Sequence, residues 1–162
     1  MIRNAVPTDF DAILALNLES EHFLSPLNQQ GLDNLNQEAS YHRVFDINGS
    51  AVAFLLAMGA GCQYQSPNYR WFNGQYDKFL YVDRIVVSND HHAKGIASAL
   101  YNDLFDYARQ NDLQRVVCEY DVEPLNQASQ KFHQKYGFNE IGSQWLNGGK
   151  KRVSLQAVEL GK

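Results

Sequence analysis

The sequence predicts a mixed α/β domain, and three features of the chain favour this fold class. Apolar patterns of helix and strand type alternate along the chain, with strand pairs in both halves. An Asn48-Gly49 turn between two apolar segments indicates a β-hairpin. A strand over 79–87 leads through a short polar turn into a helix near Gly95. All 162 residues are expected to form one domain, 1–162.

The N-terminal half is predicted to hold a strand, two helices and the hairpin. A strand at 2–5 precedes a helix that Thr8 or Asp9 can cap, and Ser25-Pro26 is expected to end that helix. A second, more polar helix is predicted over 31–40, and the hairpin strands over 41–46 and 51–57. Apolar residues lie at roughly helical spacing in the first helix: Phe10, Ile13, Leu14, Leu16 and Leu18.

The segment 59–77 is predicted as a loop of unusual length, and such loops in compact domains tend to be functional or mobile. Its aromatic residues are Tyr64, Tyr69, Trp71, Phe72 and Tyr76. Two interpretations stay open. In the first, the wall of a substrate site for apolar or cationic groups is formed by Tyr64, Tyr69, Trp71 and Phe72. In the second, the aromatic residues cover a sheet edge or a partner subunit.

The C-terminal half is predicted to alternate strands with helices. The strand at 79–87 is dense in β-branched and aromatic residues, and a further strand is predicted over 114–121. Helices are predicted over 97–110 and 126–136, and Gly137 is expected to cap the second one. A strand pair from 141 onward is expected to turn at 147–149.

Charge and composition disfavour several classes of protein. The formal net charge of −4 and the pI near 5.7 argue against a binder of nucleic acid or of anionic membranes. The longest apolar run, 51–60, is too short to cross a bilayer. Cys62 and Cys118 form no zinc pattern and are expected to be reduced thiols. The first residues carry no signal-peptide pattern, so a cytoplasmic protein is expected.

The segment His-Ala-Lys-Gly-Ile-Ala at 92–97 is a candidate anion site. The first turn of a helix exposes unpaired N–H groups and carries a partial positive charge. Gly95 and Ala97 allow a ligand to approach this backbone closely, and Lys94 can add a charge. The spacing matches neither a Walker P-loop nor the three-glycine dinucleotide motif. A plain tight turn is the alternative interpretation.

Three separated segments resemble the GNAT superfamily of acyl-CoA N-acyltransferases. The turn at 92–97 resembles the family motif Gln/Arg-x-x-Gly-x-Gly/Ala, with His92 in the first position. Residues 2–17 resemble its first strand and helix, and 126–138 resemble its last helix. The resemblance implies a GNAT-type fold, in which helices flank a central twisted, mostly antiparallel sheet with splayed parallel strands.

The resemblance also implies acetyl-CoA as the acyl donor and assigns its contacts by position. Ile85, Val86 and Val87 are expected to offer backbone groups to the pantetheine arm. Asn126 and Ser129 are expected to meet the arm or the phosphates. The residues expected to hold the pyrophosphate are His92, Ala93, Lys94, Gly95, Ile96 and Ala97.

Asp83 is the first choice for the general base, because the resemblance places a carboxylate on this strand and a lone carboxylate among apolar residues is costly. Strand alternation predicts that Tyr81, Asp83, Ile85 and Val87 share one face and that Arg84 takes the other, with Tyr81 near the substrate. The competing account is a structural ion pair of Asp83 with Arg84 or Arg70. Glu119 and Asp121 are second choices for the base.

His133 occupies the position at which the family usually has a tyrosine that protonates the leaving thiolate. An imidazole titrates near neutrality, so His133 is expected either to donate this proton or to contact CoA. Tyr136 lies three residues further along the same predicted helix and is an alternative acid. A tyrosine of the core is the other interpretation of Tyr136.

These inferences predict an N-acetyltransferase that moves an acetyl group from acetyl-CoA to an amine of a small molecule or peptide. Direct attack in a ternary complex is expected, because no Cys or Ser lies in a nucleophile motif. The alternative is a non-catalytic acyl-CoA sensor on the same fold. A single-stranded nucleic-acid binder is disfavoured by the acidic balance. No metal is expected, because His91 and His92 diverge without a third ligand nearby. A homodimer is compatible with the sequence, which does not identify the acceptor.

Overall fold

The structure is a computed structural model in which residues 1–161 are described. The strands are β1 (Ile2–Asn4), β2 (Tyr41–Ile47), β3 (Ser50–Met58), β4 (Phe79–Val87), β5 (Arg115–Glu123), β6 (Asn139–Leu146) and β7 (Lys151–Glu159). The helices are α1 (Phe10–Glu19), α2 (Gln29–Glu38), α3 (Pro67–Asn73), α4 (Ile96–Gln110) and α5 (Gln127–Lys135). Apart from α3, these elements follow the predicted order.

The strands form one mixed sheet in the order β1-β2-β3-β4-β5-β7-β6. Its neighbouring strands pair antiparallel except β4 and β5, which are parallel. The predicted fold class, a mostly antiparallel sheet flanked by helices, is therefore confirmed. The predicted hairpin is confirmed as well, because Asn48 (φ 53°) and Gly49 (φ 88°) turn β2 directly into β3.

Helices cover both faces of the sheet and bury a separate apolar core on each. The face beneath α1, α2 and α3 includes Ile13, Leu32 and Phe72, all with no exposed surface. The opposite face, beneath α4, includes Leu100 and Leu104, which are equally buried. The central strands β3 and β4 are thus covered on both faces and can carry the apolar runs that the sequence shows.

The segment predicted as a long loop contains the short helix α3. Ser66 caps this helix by accepting a hydrogen bond from the Tyr69 N–H over 3.5 Å, and Pro67 occupies the first position. Both residues are favoured at a helix start, since a proline there forfeits no helical hydrogen bond. The Ser66-Pro67 pair was therefore the signal for α3, and a structureless loop over 59–77 is wrong.

A β-bulge interrupts β4 at Asp83. Leu56 of β3 pairs with Arg84, and the next residue, Ala57, pairs with Val82, so the register passes over Asp83. An extra residue of this kind bends the strand and reverses which side chains face the core beyond it.

The bulge corrects the predicted faces of β4. Tyr81 packs on the α1 side of the sheet, but beyond Asp83 it is Arg84 that reaches α1. Ile85 and Val87 instead contact the core beneath α4. The prediction that Tyr81, Ile85 and Val87 share a face opposite Arg84 is wrong, because it assumed an unbroken alternation.

The parallel strands β4 and β5 separate beyond their first residues. They pair only where Phe79, Leu80 and Tyr81 face residues 115–117. Further along, β5 pairs with β7 on its other side, while β4 continues along β3. The backbones of β4 and β5 therefore diverge, and a cleft opens between them in the middle of the sheet.

Candidate active site

The cleft between β4 and β5 leads into a cavity of about 720 Å³. Its walls come from the last half of β4, the start of α4, the middle of β5 and the first turns of α5. It is also lined by Lys151 and Val153 of β7 and by Phe23 and Leu24, which follow α1. This cavity thus coincides with the point at which the hydrogen bonds between β4 and β5 end, as expected of ligand sites in α/β sheets.

The turn before α4 is shaped as an anion site. Gly95 (φ 76°) and Ala93 (φ 63°) both adopt left-handed backbone conformations around Lys94. The Ala99 N–H donates to the Gly95 carbonyl over 3.0 Å, and the N–H groups before it in the helix have no turn of helix to donate to. Alternating conformations of this kind draw successive N–H groups into a concave cradle, which suits a pyrophosphate.

The two histidines of the turn have different surroundings. His92 donates its Nε2–H to the Val87 carbonyl over 2.9 Å, which ties the turn to the end of β4. The Nδ1 atom of His91 is buried and has no hydrogen-bond partner among the described residues, although His91 lines the cavity. Lys94 is exposed and does not line the cavity. Lys94 can therefore contact a cofactor only if its long side chain extends back to the cavity. His91 lines the cavity, although it was not among the predicted cofactor contacts.

The other positions selected for CoA come together around the cavity. The predicted residues that line it are Ile85, Val86, Val87, His92, Ala93, Gly95, Ile96, Ala97, Asn126 and Ser129. The Asn126 side chain caps α5 by accepting a hydrogen bond from the Ser129 N–H over 3.2 Å. The start of α5 therefore faces the start of α4 across the cleft, and both present helix N-termini to it.

His133 is buried in α5, and protein groups engage both of its ring nitrogens. Nδ1 lies 2.7 Å from the Ser129 carbonyl, which can only accept, so Nδ1 carries the proton. Nε2 lies 2.9 Å from the Tyr101 hydroxyl and must accept from it. Burial lowers the pKa of His133, which the Ser129 carbonyl only partly offsets. A neutral His133 with both nitrogens engaged argues against the predicted thiolate acid and favours a role in orienting Tyr101.

Tyr136, the alternative acid, donates its hydroxyl proton to the Ser98 carbonyl over 3.2 Å. Its ring also stacks on that of Tyr101, with 5.7 Å between the ring centroids. The side chain thus joins α5 to α4 as part of the core, as the second interpretation of Tyr136 had it.

Asp83 forms the ion pair that the sequence analysis kept as the competing account. Its Oδ2 accepts from Arg84 Nε over 2.8 Å, and its Oδ1 accepts from the Tyr64 hydroxyl over 2.6 Å. Both members of the ion pair have side chains that are only 5% exposed. Arg84 is held in turn by Asn17 and Ser25. Protein donors thus occupy both oxygens of Asp83, which favours the structural ion pair over the role of general base.

Glu119 of β5, a second choice in the sequence analysis, has the surroundings of a general base. It lines the cavity, and its oxygens accept hydrogen bonds only from neutral groups. The Tyr81 hydroxyl lies 2.7 Å from Oε1, and the Asn68 Nδ2 lies 2.8 Å from the same oxygen. Burial and the charge of Asp83 raise the pKa of Glu119 to about 7, against the effect of these two donors. A carboxyl group with this pKa can accept a proton near neutral pH.

The other second choice, Asp121, also lines the cavity but is paired with a cation. Its Oδ1 lies 3.1 Å from Lys151 Nζ of β7. Asp121 thus closes the β7 side of the cleft with a salt bridge.

The three residues predicted to contact the acceptor have structural roles instead. Phe72 has no exposed surface and Tyr81 only 1%, and neither lines the cavity. Trp71 packs against Gly142 of β6, where an added Cβ atom would lie 2.9 Å from Trp71 Cζ2. Neither Trp71 nor Phe72 lines the cavity, because α3 turns both rings onto the sheet, so their substrate contacts stay a prediction. Tyr81 reaches the site only through its hydrogen bond to Glu119.

Among residues 1–161, no group of three or more His, Cys, Asp or Glu side chains is arranged to hold a metal ion. In the same range, no helix has the length and apolar character needed to cross a membrane.

Comparisons with known proteins agree with this geometry. Ard1 from Thermoplasma volcanium superposes with a TM-score of 0.83 at 16% identity, covering 100% of this chain and 98% of that one. The ribosomal-protein-S18-alanine N-acetyltransferase from Escherichia coli gives 0.74 at 17% identity, covering 100% and 94%. The protein smu.2055 from Streptococcus mutans UA159 gives 0.78 at 19% identity, covering 99% of each chain. Likeness at these identities shows the fold alone.

No curated protein sequence matches the chain significantly. The sequence model described as the acetyltransferase (GNAT) family matches residues 11–138. This match includes the turn before α4, the cleft strands and the whole of α5, and it spans well over half of the sequence. The chain belongs to the acetyltransferase (GNAT) family.

Proposed function

We propose that this chain transfers an acetyl group from acetyl-CoA to an amine and that Glu119 is its general base. One observation carries the proposal: a single cavity joins the open N-terminus of α4 to the half-buried carboxyl of Glu119. Glu119 lies next to the point at which the strands diverge, and the turn lies beyond the end of β4. The intervening residues 82–87 span about 20 Å of strand, a length suited to an extended pantetheine arm.

The residues around the cavity support direct attack by the amine. Acetyl-CoA supplies the thioester carbonyl, at which the amine nitrogen forms the new C–N bond while the C–S bond breaks. Glu119 takes the proton that the amine loses. We assign the proton for the leaving thiolate to solvent in the open cleft, because His133 and Tyr136 direct their protons to carbonyls. Burial raises the pKa of the Cys118 thiol, which disfavours an acyl-enzyme.

The proposal covers amines of both small molecules and peptides. Proteins with similar folds include one named as a ribosomal-protein-S18-alanine N-acetyltransferase and one named as a putative phosphinothricin N-acetyltransferase. The names of these two neighbours refer to a protein in one case and to phosphinothricin in the other, which is why the proposal keeps both kinds of amine. For this chain we also propose one N-acetyltransferase domain over 1–162 and a cytoplasmic location.

Acetyl-CoA binding and turnover test the proposal directly. Isothermal titration measures acetyl-CoA binding, and release of the CoA thiol measures turnover against panels of amines, amino acids, polyamines and peptides. We expect binding together with turnover of at least one amine. Glu119→Gln should lower kcat/KM by about 10²- to 10⁴-fold, the usual contribution of general base catalysis, with little change in acetyl-CoA affinity.

A matched control lies on the same strand. Glu123→Gln makes the same chemical change outside the cavity, at a residue that pairs with Arg152, and should keep its turnover. No detectable binding of acetyl-CoA would overturn the proposal. Tight binding without turnover of any amine would favour a non-catalytic acyl-CoA sensor. Full activity of Glu119→Gln would remove Glu119 as the base.

A further inference from the structure

Helix α3 places the polar side chain of Asn68 beside Glu119, the proposed general base. Asn68 is the second residue of α3 and is 7% exposed, whereas the other buried residues of this helix, Tyr69 and Phe72, are aromatic and pack on the sheet. Its Nδ2 donates to Glu119 Oε1 over 2.8 Å. Gln144 of the edge strand β6 donates its Nε2–H to the Asn68 Oδ1 over 3.0 Å. A chain of two amides therefore runs from β6 through α3 to Glu119.

The direction of this chain is set by hydrogen-bond chemistry. An ionised carboxylate only accepts, so the Asn68 amide must turn its NH₂ group towards Glu119. Its oxygen then faces Gln144, which must donate. Without a donor at position 144, the Asn68 amide is free to rotate and to present its oxygen to the carboxylate, which repels it. Gln144 thus holds the one amide orientation that stabilises the ionised base.

We propose that Asn68 is a positioning residue for Glu119 and that Gln144 locks it, so that the segment between β3 and β4 keeps the base ionised and aimed into the cavity. This inference rests on the proposed base role of Glu119. It makes α3 part of the reaction machinery, although none of its residues needs to touch the amine.

Other titratable groups near Glu119 also affect its pKa, and the variants tested below leave all of them unchanged. The titratable side chains that face Glu119 are Tyr81 and Asp83 of β4, Tyr101 of α4 and Cys118 of β5. At the edge of the cavity lie Asp121 of β5 and Lys151 of β7. The cation nearest to Asp83 is Arg84, whose charge is directed at that carboxylate. Glu119 itself accepts from neutral donors, so the loss of one of them has a large effect.

The pH dependence of kcat/KM tests the inference through three variants. Asn68→Ala removes a donor to the ionised form, which raises the pKa of Glu119. The acid limb, the pH range over which kcat/KM rises as the base ionises, should therefore lie about one pH unit higher. Below this range kcat/KM should be about tenfold lower than in the wild type, and at high pH it should recover. Gln144→Leu should shift it in the same direction by less. Gln144→Glu should shift it further than Gln144→Leu, because a carboxylate at 144 draws the Asn68 NH₂ away from Glu119.

Asn73→Ala is the matched control, since Asn73 lies on the same helix and accepts only from the exposed Gly61 N–H over 2.9 Å. It should leave the limb in place. If Asn68→Ala does not fold, the two Gln144 variants decide the question. Limbs that coincide with the wild-type limb in every folded variant would overturn the inference and leave Asn68 a structural residue.

A second readout separates this inference from the proposed function. Carbon-13 labelling of glutamate carboxyl groups follows the titration of Glu119 by NMR without any substrate, and Glu119→Gln identifies its signal. If no amine is turned over, the proposed function fails, yet the shift of the Glu119 titration in the variants still decides whether Asn68 and Gln144 act on it. An unchanged titration midpoint of Glu119 in Gln144→Glu would refute the claim that Gln144 fixes the orientation of the Asn68 amide.

Discussion

Arg84 donates its Nε–H to the carboxylate of the preceding residue, Asp83, over 2.8 Å. Consecutive side chains of a regular strand point to opposite faces, so this contact depends on the bulge of β4. The two charges are almost fully buried and neutralise each other at the wall of the cavity. This pairing is the reason that we propose Glu119, across the cleft on β5, and not Asp83 as the general base.

The buried ion pair should be sensitive to loss of one partner. Asp83→Asn leaves the Arg84 guanidinium without its counter-charge, and such changes cost about 3–5 kcal/mol of stability. We expect a loss of this order in urea denaturation. The double variant Asp83→Asn/Arg84→Gln should lose less than the sum of the single losses, because neither charge is then left unpaired. Additive losses would show that the pairing contributes nothing.

Glu119 should make the protein less stable as the pH rises. Its folded-state pKa of about 7 lies above the ordinary value of 4.5, so the unfolded chain releases its proton first. The contribution is fully present below pH 4.5 and is lost as the pH rises through 7, by at most about 3 kcal/mol. Glu119→Gln should remove this decline from a series of denaturation curves between pH 4.5 and 8. Parallel pH profiles for the two proteins would contradict the raised pKa.

His42 acts with the opposite sign in nearly the same pH range. Burial lowers its pKa from 6.5 to about 4, and its Nε2 has no hydrogen-bond partner among the described residues. Folding therefore favours the neutral ring, and this stability is present above pH 6.5 and is lost as the pH falls through 4. His42→Gln should reduce the loss on acidification, which thermal denaturation between pH 7 and 4 measures. His22→Gln, at an exposed site, is the control and should not change the slope.

Gly95 should be required for acetyl-CoA affinity. Its φ of 76° is left-handed, and a Cβ there costs about 1–2 kcal/mol. Gly95→Ala should relax the turn and close the cradle, which weakens acetyl-CoA binding about 5- to 30-fold in a calorimetric titration. Gly49→Ala is a matched control, since it introduces the same strain (φ 88°) in the hairpin far from the cleft. An equal loss of affinity in both would mean that the strain acts through general instability.

His133 should affect stability more than proton transfer. His133→Phe leaves the Tyr101 hydroxyl without its acceptor in a buried site, which costs about 1–3 kcal/mol. The profile of kcat against pH should keep its shape, because the ring carries no proton for the thiolate. Stopped-assay kinetics across pH 6–10 measures this. Loss of the alkaline limb in His133→Phe alone would restore His133 as the acid.

The parts of this molecule that depend on local sequence could be predicted. The Asn48-Gly49 hairpin, the turn around Gly95 and the helix closed by Gly137 each follow from the backbone preferences of a few adjacent residues. The approach of the turn to the start of α5 followed from the family resemblance, because it depends on strand order.

The parts that depend on pairing between distant residues could not be predicted. The bulge at Asp83 arises from the register of β3 on β4, which no periodicity within β4 shows. The contacts of the two candidate carboxylates differ because Asp83 meets a guanidinium and Glu119 does not, and Asn68 is 51 residues from Glu119 in the chain. The Ser66-Pro67 helix start, by contrast, was present in the sequence as a local signal.

Trp71 and Gly142 cannot change independently of each other. A side chain at 142 would collide with the indole ring, so glycine is required there for as long as tryptophan occupies position 71. Gln144, two residues further along the same edge strand, is bound to the same helix through Asn68. Lineages descended from this sequence should therefore exchange the β3–β4 segment and this stretch of β6 together, as one inherited unit. If the β3–β4 segment alone were transferred to a related protein, α3 would lack the β6 residues against which it packs.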